Sequence, residues 1–379
     1  MSSEITSISD KENYFLVGPG PANCSPRVLT ALSSYPILPP GYQIFKVISE
    51  VKQLLKYAFQ TQNDATLAIQ NSGTGGLEAA IINTVDPKEV IIVAVNGYWG
   101  ERVAEIGRLR EITVIEIVPK KPGVFTFEEL EEAIKKHKPV LLFITHGESS
   151  TGLLQPLKGL GNICHKYNCL LAIDAVVTLG GCPLFVDDWS IDIAVSAPQK
   201  AARGLPGLSY LTFSPKAVKR IRAIKTKPPF YYNILKLCDV WKCFDQHSPY
   251  YYTFNSNLLY AAREGLLELL EETLSVSCDK HKKLAKRLWS GLEKLGFEFI
   301  VKKPEDRLWT VTPVYLPPNI SWAKINEYLT TKYQLFVGCG LGSYENKIIR
   351  IGIMGYNARD ELVQRVLDKL QEALLYCQK

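Results

Sequence analysis

The chain has 379 residues, of which 46% are hydrophobic and 22% charged; this is the make-up of a globular protein, not a disordered one, with length for a large core and a smaller second unit, since single cores stop growing at roughly 250–300 residues. The net charge of +6 is spread along the sequence, and its densest basic runs, DKHKKLAKR (279–287) and KRIRAIKTK (219–227), read as solvated helix faces; with no interleaved aromatics they argue against nucleic acid as a partner. No apolar run reaches the ~18 residues of a membrane span, and nine scattered cysteines without C-x-x-C point to reduced thiols, against a disulfide scaffold or a metal site.

The first residues, MSSEITSISDKENYF, lack an apolar signal core and carry acids that a transit peptide avoids. The ending, YCQK, is not a Ser-Lys-Leu address. A cytoplasmic location is the expectation, with the peroxisome as the alternative.

From about residue 65 to 215 short apolar runs alternate with amphipathic stretches: ATLAIQ, GLEAAIINTV, EVIIVAV, GERVAEIGRL, ITVIEI, TFEELEEAIKKH, PVLLFITH, KGLGNICHKY, CLLAIDAV, IDIAVSA and LSYLTFS. That rhythm predicts a mainly parallel sheet with helices on both faces, the α/β class. The connection between the last two runs is too short for a helical crossover, so one antiparallel strand is expected. Beyond 255 a long Leu/Glu/Lys-rich helical region leads into a smaller α+β unit with strands WTVTPVYLP and IIRIGIMG. The expected division is an arm over 1–25, a large domain over 26–270 and a small domain over 271–379.

Ligands of open parallel sheets bind at the carboxyl ends of strands, and four such ends carry unusual residues. NSGTGGLEAA (71–80) opens a helix whose first amides suit a phosphate, but it lacks the lysine of a P-loop. NGYWGER (96–102) places Trp99 after a buried strand, where its face can meet an aromatic ring. LLAIDAVVTLGG (170–181) ends an apolar strand on Asp174, a carboxylate that needs a cation or hydrogen bonds. Lys200 follows DIAVSA and Gln199, and a partly desolvated lysine forms a Schiff base with an aldehyde. Singly, each has an ordinary structural explanation as a cap, a core ring or a structural charge. Together, a phosphate cradle, an aromatic platform, a buried acid and a lysine nucleophile imply pyridoxal 5'-phosphate. Arg350, inside the apolar IIRIGIMG, either pairs with an internal acid or clamps the carboxylate of an amino acid.

These segments, with VGPGPANCSPRVL, FQTQN, THGESSTGLLQPLKGLGNICHKYNCLLAIDAV and GLGS, resemble the class V aminotransferases of fold type I, in particular the alanine-glyoxylate, serine-pyruvate and insect 3-hydroxykynurenine group. The resemblance implies a large domain on a mainly parallel seven-stranded sheet, and Lys200 as the residue that carries the cofactor. It implies that Asp174 binds the pyridine nitrogen and that Val176 packs on the ring opposite Trp99. Ser149 would bond the phenolic oxygen region, and Ser72, Gly73, Thr74 and Gln199 the phosphate. A homodimer with shared sites is implied, with Tyr250 and Thr253 reaching the other subunit's phosphate, and Arg350, Ala22 and Asn23 holding the substrate. The implied reaction moves an amino group from alanine, serine or a kynurenine to glyoxylate or pyruvate. Departures are Ser-Ala-Pro-Gln-Lys for Ser-Gly-Ser-Gln-Lys, YYYT for Tyr-His-His-Thr, CGLGSYEN for Gly-Gly-Leu-Gly-Pro, and a short YPILPPGYQIF (35–45). The last two motivate an alternative, a lyase, decarboxylase or oxygen-using enzyme on the same scaffold.

Overall fold

The computed structural model describes residues 14–34, 42–245, 248, 250–318 and 320–378. The expectation about a leader, which falls on residues 1–13, and most of the short 35–45 segment, over residues 35–41, lie outside the described residues. No helix among the described residues is long and apolar enough to cross a membrane.

The chain begins with β1 (Phe15–Leu16), α1 (Pro26–Ser34) and α2 (Tyr42–Phe59), then alternates through β2 (Ala65–Ile69), α3 (Gly73–Thr84), β3 (Val90–Ala94), α4 (Tyr98–Leu109), β4 (Thr113–Ile117), α5 (Phe127–His137) and β5 (Leu141–Thr145). The short pair β6 (Gly147–Glu148) and β7 (Leu153–Leu154) precedes α6 (Leu160–Lys166), β8 (Leu170–Asp174), β9 (Ile193–Ser196) and β10 (Ser209–Phe213). Helices α7 (Pro215–Ala223), α8 (Ile234–Val240), α9 (Ser256–Glu272) and α10 (Leu274–Lys294) follow. The remainder is β11 (Glu298–Phe299), β12 (Val311–Tyr315), α11 (Trp322–Tyr333), β13 (Leu335–Phe336), β14 (Gly338–Cys339), β15 (Ile348–Gly352) and α12 (Asp360–Cys377).

The large sheet has seven strands in the order β2-β10-β9-β8-β5-β3-β4. Only β10 is antiparallel to its neighbours, so the expected antiparallel strand is present and the carboxyl ends of the other six lie along one edge. Strands β2, β5, β8 and β10 are buried at every residue because helices cover both faces, which is why they read as unbroken apolar runs. Edge strand β4 is exposed at Thr113 and Glu116. The register aligns Thr145, Asp174 and Val195 across β5, β8 and β9. The chain order reverses between β3 and β5, and that reversal opens the crevice in which open sheets bind ligands.

The second sheet, β11-β12-β15-β14, is covered by α10, α11 and α12 in a core of its own that also takes in Val17. The long helical region is two helices, not one. Thr273 has φ 71° and its side chain accepts from Val276 N, ending α9 and capping α10.

Candidate active site

The ends of β2, β3, β5, β8 and β9 converge on a cavity of about 130 Å³ lined by Ser72, Gly73, Thr74, Leu77, Trp99, Gly147, Ser149, Asp174, Val176, Val177, Gln199 and Lys200. Nine of these twelve were expected from sequence. Leu77, Gly147 and Val177 were not, because small and aliphatic wall residues have nothing to set them apart from core.

At one end, the Ser72 hydroxyl accepts from Gly75 N at 3.2 Å and caps α3, so the first amides of the helix face the cavity region as an anion-binding end. A Cβ at Gly73 would stand 3.3 Å from Val176 Cγ2 and 3.5 Å from Ala197 Cβ. The helix start is thus wedged against the β8 and β9 ends. Gln199 Oε1 is buried without a partner among the described residues, a polar atom left for something the protein does not itself supply.

Asp174 is 3% exposed, and its Oδ1 accepts from Val176 N at 2.7 Å. Burial pushes its pKa up to about 7, the negative charge of Glu148 adds to this, and the Val176 N–H and the Lys200 charge oppose it. Its anion therefore calls for a cation beside it. Lys200 Nζ donates to Pro19 O at 2.6 Å. Burial, followed by the positive charge of Arg350, lowers its pKa to about 8, with Asp174 acting the other way. Gly20 lies over this amine: its φ is 101°, and a Cβ there would be 2.3 Å from Nζ.

The Trp99 indole N–H donates to Ser149 Oγ at 2.9 Å. The hydroxyl accepts that bond, so its own proton remains available to a ligand. Arg350 is 5% exposed; Nε donates to Cys339 O at 2.5 Å and Nη1 to Ser149 O at 3.3 Å. No carboxylate among the described residues pairs with it within 4.0 Å, and burial lowers its pKa. Of the two readings open for this arginine, the internal ion pair is the one the structure does not supply.

Five expected residues do not line the cavity: Arg350, which lies beside it, and Ala22, Asn23, Tyr250 and Thr253. Ala22 is tied beside it, its N donating to Gln199 O at 2.9 Å. The Asn23 side chain is spent on structure: Oδ1 accepts from Leu16 N and Asn357 Nδ2, and Nδ2 donates to Tyr14 O. Tyr250 is 51% exposed, with its hydroxyl 3.1 Å from Thr253 Oγ1. Sequence reasoning missed Glu148, fully buried next to Ser149, because GESS has the composition of a solvated loop; the one hint was its place straight after the buried strand β5.

Pyridoxal phosphate fits these residues. It requires an anion site, a flat aromatic neighbour, a carboxylate that gains from a ring cation and an amine able to bond an aldehyde. The α3 end, Trp99, Asp174 and Lys200 supply one each around a single cavity.

Comparison with known proteins gives the same picture. The aminotransferase class-V family model matches residues 15–366. The chain is 42% identical over 363 residues to the alanine--glyoxylate aminotransferase of Oryctolagus cuniculus, covering 96% of this chain and 93% of that one. Among solved structures, an alanine--glyoxylate aminotransferase from Nostoc sp. superposes with a TM-score of 0.92 at 33% identity, over 98% of both chains. A ureidoglycine-glyoxylate aminotransferase from Bacillus subtilis gives 0.93 at 28% identity, over 99% of this chain and 95% of that one. Fold, cavity residues and relatives agree, and the chain belongs to the class V aminotransferases.

Proposed function

We propose that this enzyme moves the amino group of an amino acid to glyoxylate, with Lys200 as its catalytic residue. The observation that carries this is Arg350, a buried guanidinium without a carboxylate partner among the described residues, held beside the cavity that contains Lys200. An α-carboxylate is the natural complement, since both amino acids and oxo acids carry one and a guanidinium binds it in fork geometry. Arg350 Nη2 makes no hydrogen bond among the described residues, leaving donors for that contact.

When bound, pyridoxal phosphate takes up the electron pair released as the substrate Cα–H bond breaks. The Lys200 amine, with a pKa lowered to about 8, has a neutral fraction near neutral pH, as needed to take the α-proton and give it back. Asp174 holds the ring nitrogen in its protonated form. Ser72, Gly73, Thr74 and Gln199 hold the phosphate, Ser149 donates to the phenolic oxygen, Trp99 and Val176 flank the ring, and Ala22 and Asn23 border the substrate through their backbone. Alanine, serine and a kynurenine such as 3-hydroxykynurenine are the proposed donors, and pyruvate is a second acceptor. The boundary proposed between 26–270 and 271–379 is supported by the change of core between Leu269 and Leu284, with 1–25 proposed as an arm.

Two copies are proposed to pair, with Tyr250 and Thr253 completing the phosphate site of the partner. Their exposure and their position outside this chain's own cavity support this.

The test is to incubate the purified holoenzyme with alanine and glyoxylate, and separately with 3-hydroxykynurenine and glyoxylate. Glycine should form in step with the oxo product of the donor. Turnover of the donor with no oxo acid present would replace transamination with a lyase or oxidase reaction. Lys200→Ala should abolish both the turnover and the amine-linked cofactor absorbance.

A further inference from the structure

Glu148 is a buried carboxylate to which the reading above gives no task. No lysine or arginine among the described residues lies within ion-pair distance of it, and burial pushes its pKa up. Its oxygens accept three hydrogen bonds: Oε1 from Ser150 N at 2.9 Å and Ser150 Oγ at 2.6 Å, and Oε2 from Trp99 N at 3.1 Å. Ser150 Oγ in turn accepts from Tyr98 N at 3.0 Å.

These bonds answer a local problem of α4. The first amides of a helix have no intrahelical acceptor, and a Ser, Thr, Asp or Asn at the cap position ordinarily supplies one. Here the cap position is Gly97, which has no side chain to offer. The amides of Tyr98 and Trp99 are satisfied from outside, by the β6–β7 segment. Gly97 is also what lets the acid in, since a Cβ there would stand 2.4 Å from Glu148 Cγ. A serine cap would satisfy the helix without burying a charge, so the arrangement calls for a reason beyond capping.

The reason lies in what else these atoms touch. Trp99 is in the first turn of α4, and its ring is held at the far end by Ser149, the neighbour of Glu148. We infer that Glu148 is a positioning residue for the cofactor: by holding the Trp99 amide while Ser149 holds the indole, it fixes the tilt of the aromatic face that lines the cavity. Both ends of the tryptophan are thus anchored to consecutive residues of one strand end. The Glu148 charge also acts on Asp174 and Arg350, so a serine cap would not reproduce its effect on the site.

This inference rests on the cofactor reading, and wild-type binding of pyridoxal phosphate that is lost in Lys200→Ala tests that reading separately. The experiment is a double-mutant cycle on Glu148→Gln and Trp99→Ala, read by cofactor affinity and by the induced dichroism of the bound ring. Glutamine places a donor against one of the three N–H or O–H groups. Glu148→Gln is expected to weaken binding about ten-fold and to lower the dichroism by about half or more; in the Trp99→Ala background it should add no more than about two-fold. Full multiplication of the two effects, or affinity and dichroism within about two-fold of wild type in folded Glu148→Gln, overturns the inference. If Glu148→Gln fails to fold, Ser150→Ala, which removes one hydroxyl from the same network, takes its place in the cycle with the same expected loss of additivity.

Discussion

Asp174 illustrates how a residue proposed to serve the site works against the fold that holds it. Its folded-state pKa of about 7 lies above the ordinary aspartate value of 3.8, so the unfolded chain gives up this proton first. The stability that goes with the buried, protonated acid is full below pH 3.8 and is lost as pH rises through 7, by up to about 4 kcal/mol in the cofactor-free protein. Asp174→Asn keeps the shape and removes the charge. It is expected to make the cofactor-free protein more stable to urea at pH 8, with a smaller gain at pH 5, while the holoenzyme loses roughly 100-fold or more in kcat/KM. Equal stability at pH 8 would show that the cavity already solvates the anion. Asp174, Lys200 and Arg350 were legible in the sequence for the same physical reason: each is a charge in an apolar run, where an unpaired ion is costly. Glu148 was hidden because its neighbours in sequence are small and polar, though it is fully buried.

Between elements, one contact ties the small sheet to the lysine and a second ties α10 to the turn that follows β15. The segment from Val17 to Pro19 is held by Gly352 N, which donates to Val17 O at 2.8 Å, and its other end is Pro19, whose carbonyl accepts from Lys200. Gly20→Ala would place a methyl group on the lysine in a backbone conformation that alanine disfavours. It is expected to lower the rate of cofactor loading and kcat by about ten-fold or more, beyond the roughly 1 kcal/mol of stability that the disfavoured backbone conformation costs; an unchanged loading rate would show that the segment yields freely. The second contact is His281 of α10, fully buried, with Nδ1 2.7 Å from Ser277 O and Nε2 accepting from Gly355 N at 3.0 Å. Burial lowers its pKa to about 4. With a folded pKa below the ordinary 6.5, the proton binds the unfolded chain first, so its contribution is complete above pH 6.5, falls between 6.5 and 4, and is flat below. His281→Gln should flatten that part of a stability-against-pH curve by about 1.4 kcal/mol per pH unit, and an identical slope in the variant would exclude His281 as its source. Neither contact could be read from sequence, because they join residues 181 and 74 positions apart, and β1 and β13, at two residues each, are too short to have a period. The long strands and helices were legible because their patterns repeat.

At the scale of the whole molecule, the exposed surface around residues 230 and 250 has a composition that a solvated face does not need. Phe230 is 72% exposed, Tyr250 51% and Tyr231 37%. Phe230 stacks on Tyr251 at 4.5 Å and Tyr231 on Tyr252 at 4.6 Å, which makes one aromatic surface from two separate segments. Asn255 N donates to Gln70 Oε1, and Tyr231 to Gln70 O, so that surface abuts the turn leading into the amino end of α3. A rigid aromatic patch at the rim of a site is the kind of surface that a partner covers, and the proposed second copy would bring Tyr250 and Thr253 to this rim. Phe230→Glu puts a charge at its most exposed point. The expected outcome is a shift from dimer to monomer in light scattering, with cofactor affinity falling about ten-fold because each site loses the hydroxyls of its neighbour. Thr253→Val, which keeps the aromatic surface, should weaken the cofactor while leaving the dimer intact. A monomeric Phe230→Glu protein with wild-type affinity would mean that one chain builds the whole phosphate site, and a dimeric one that the two copies meet elsewhere.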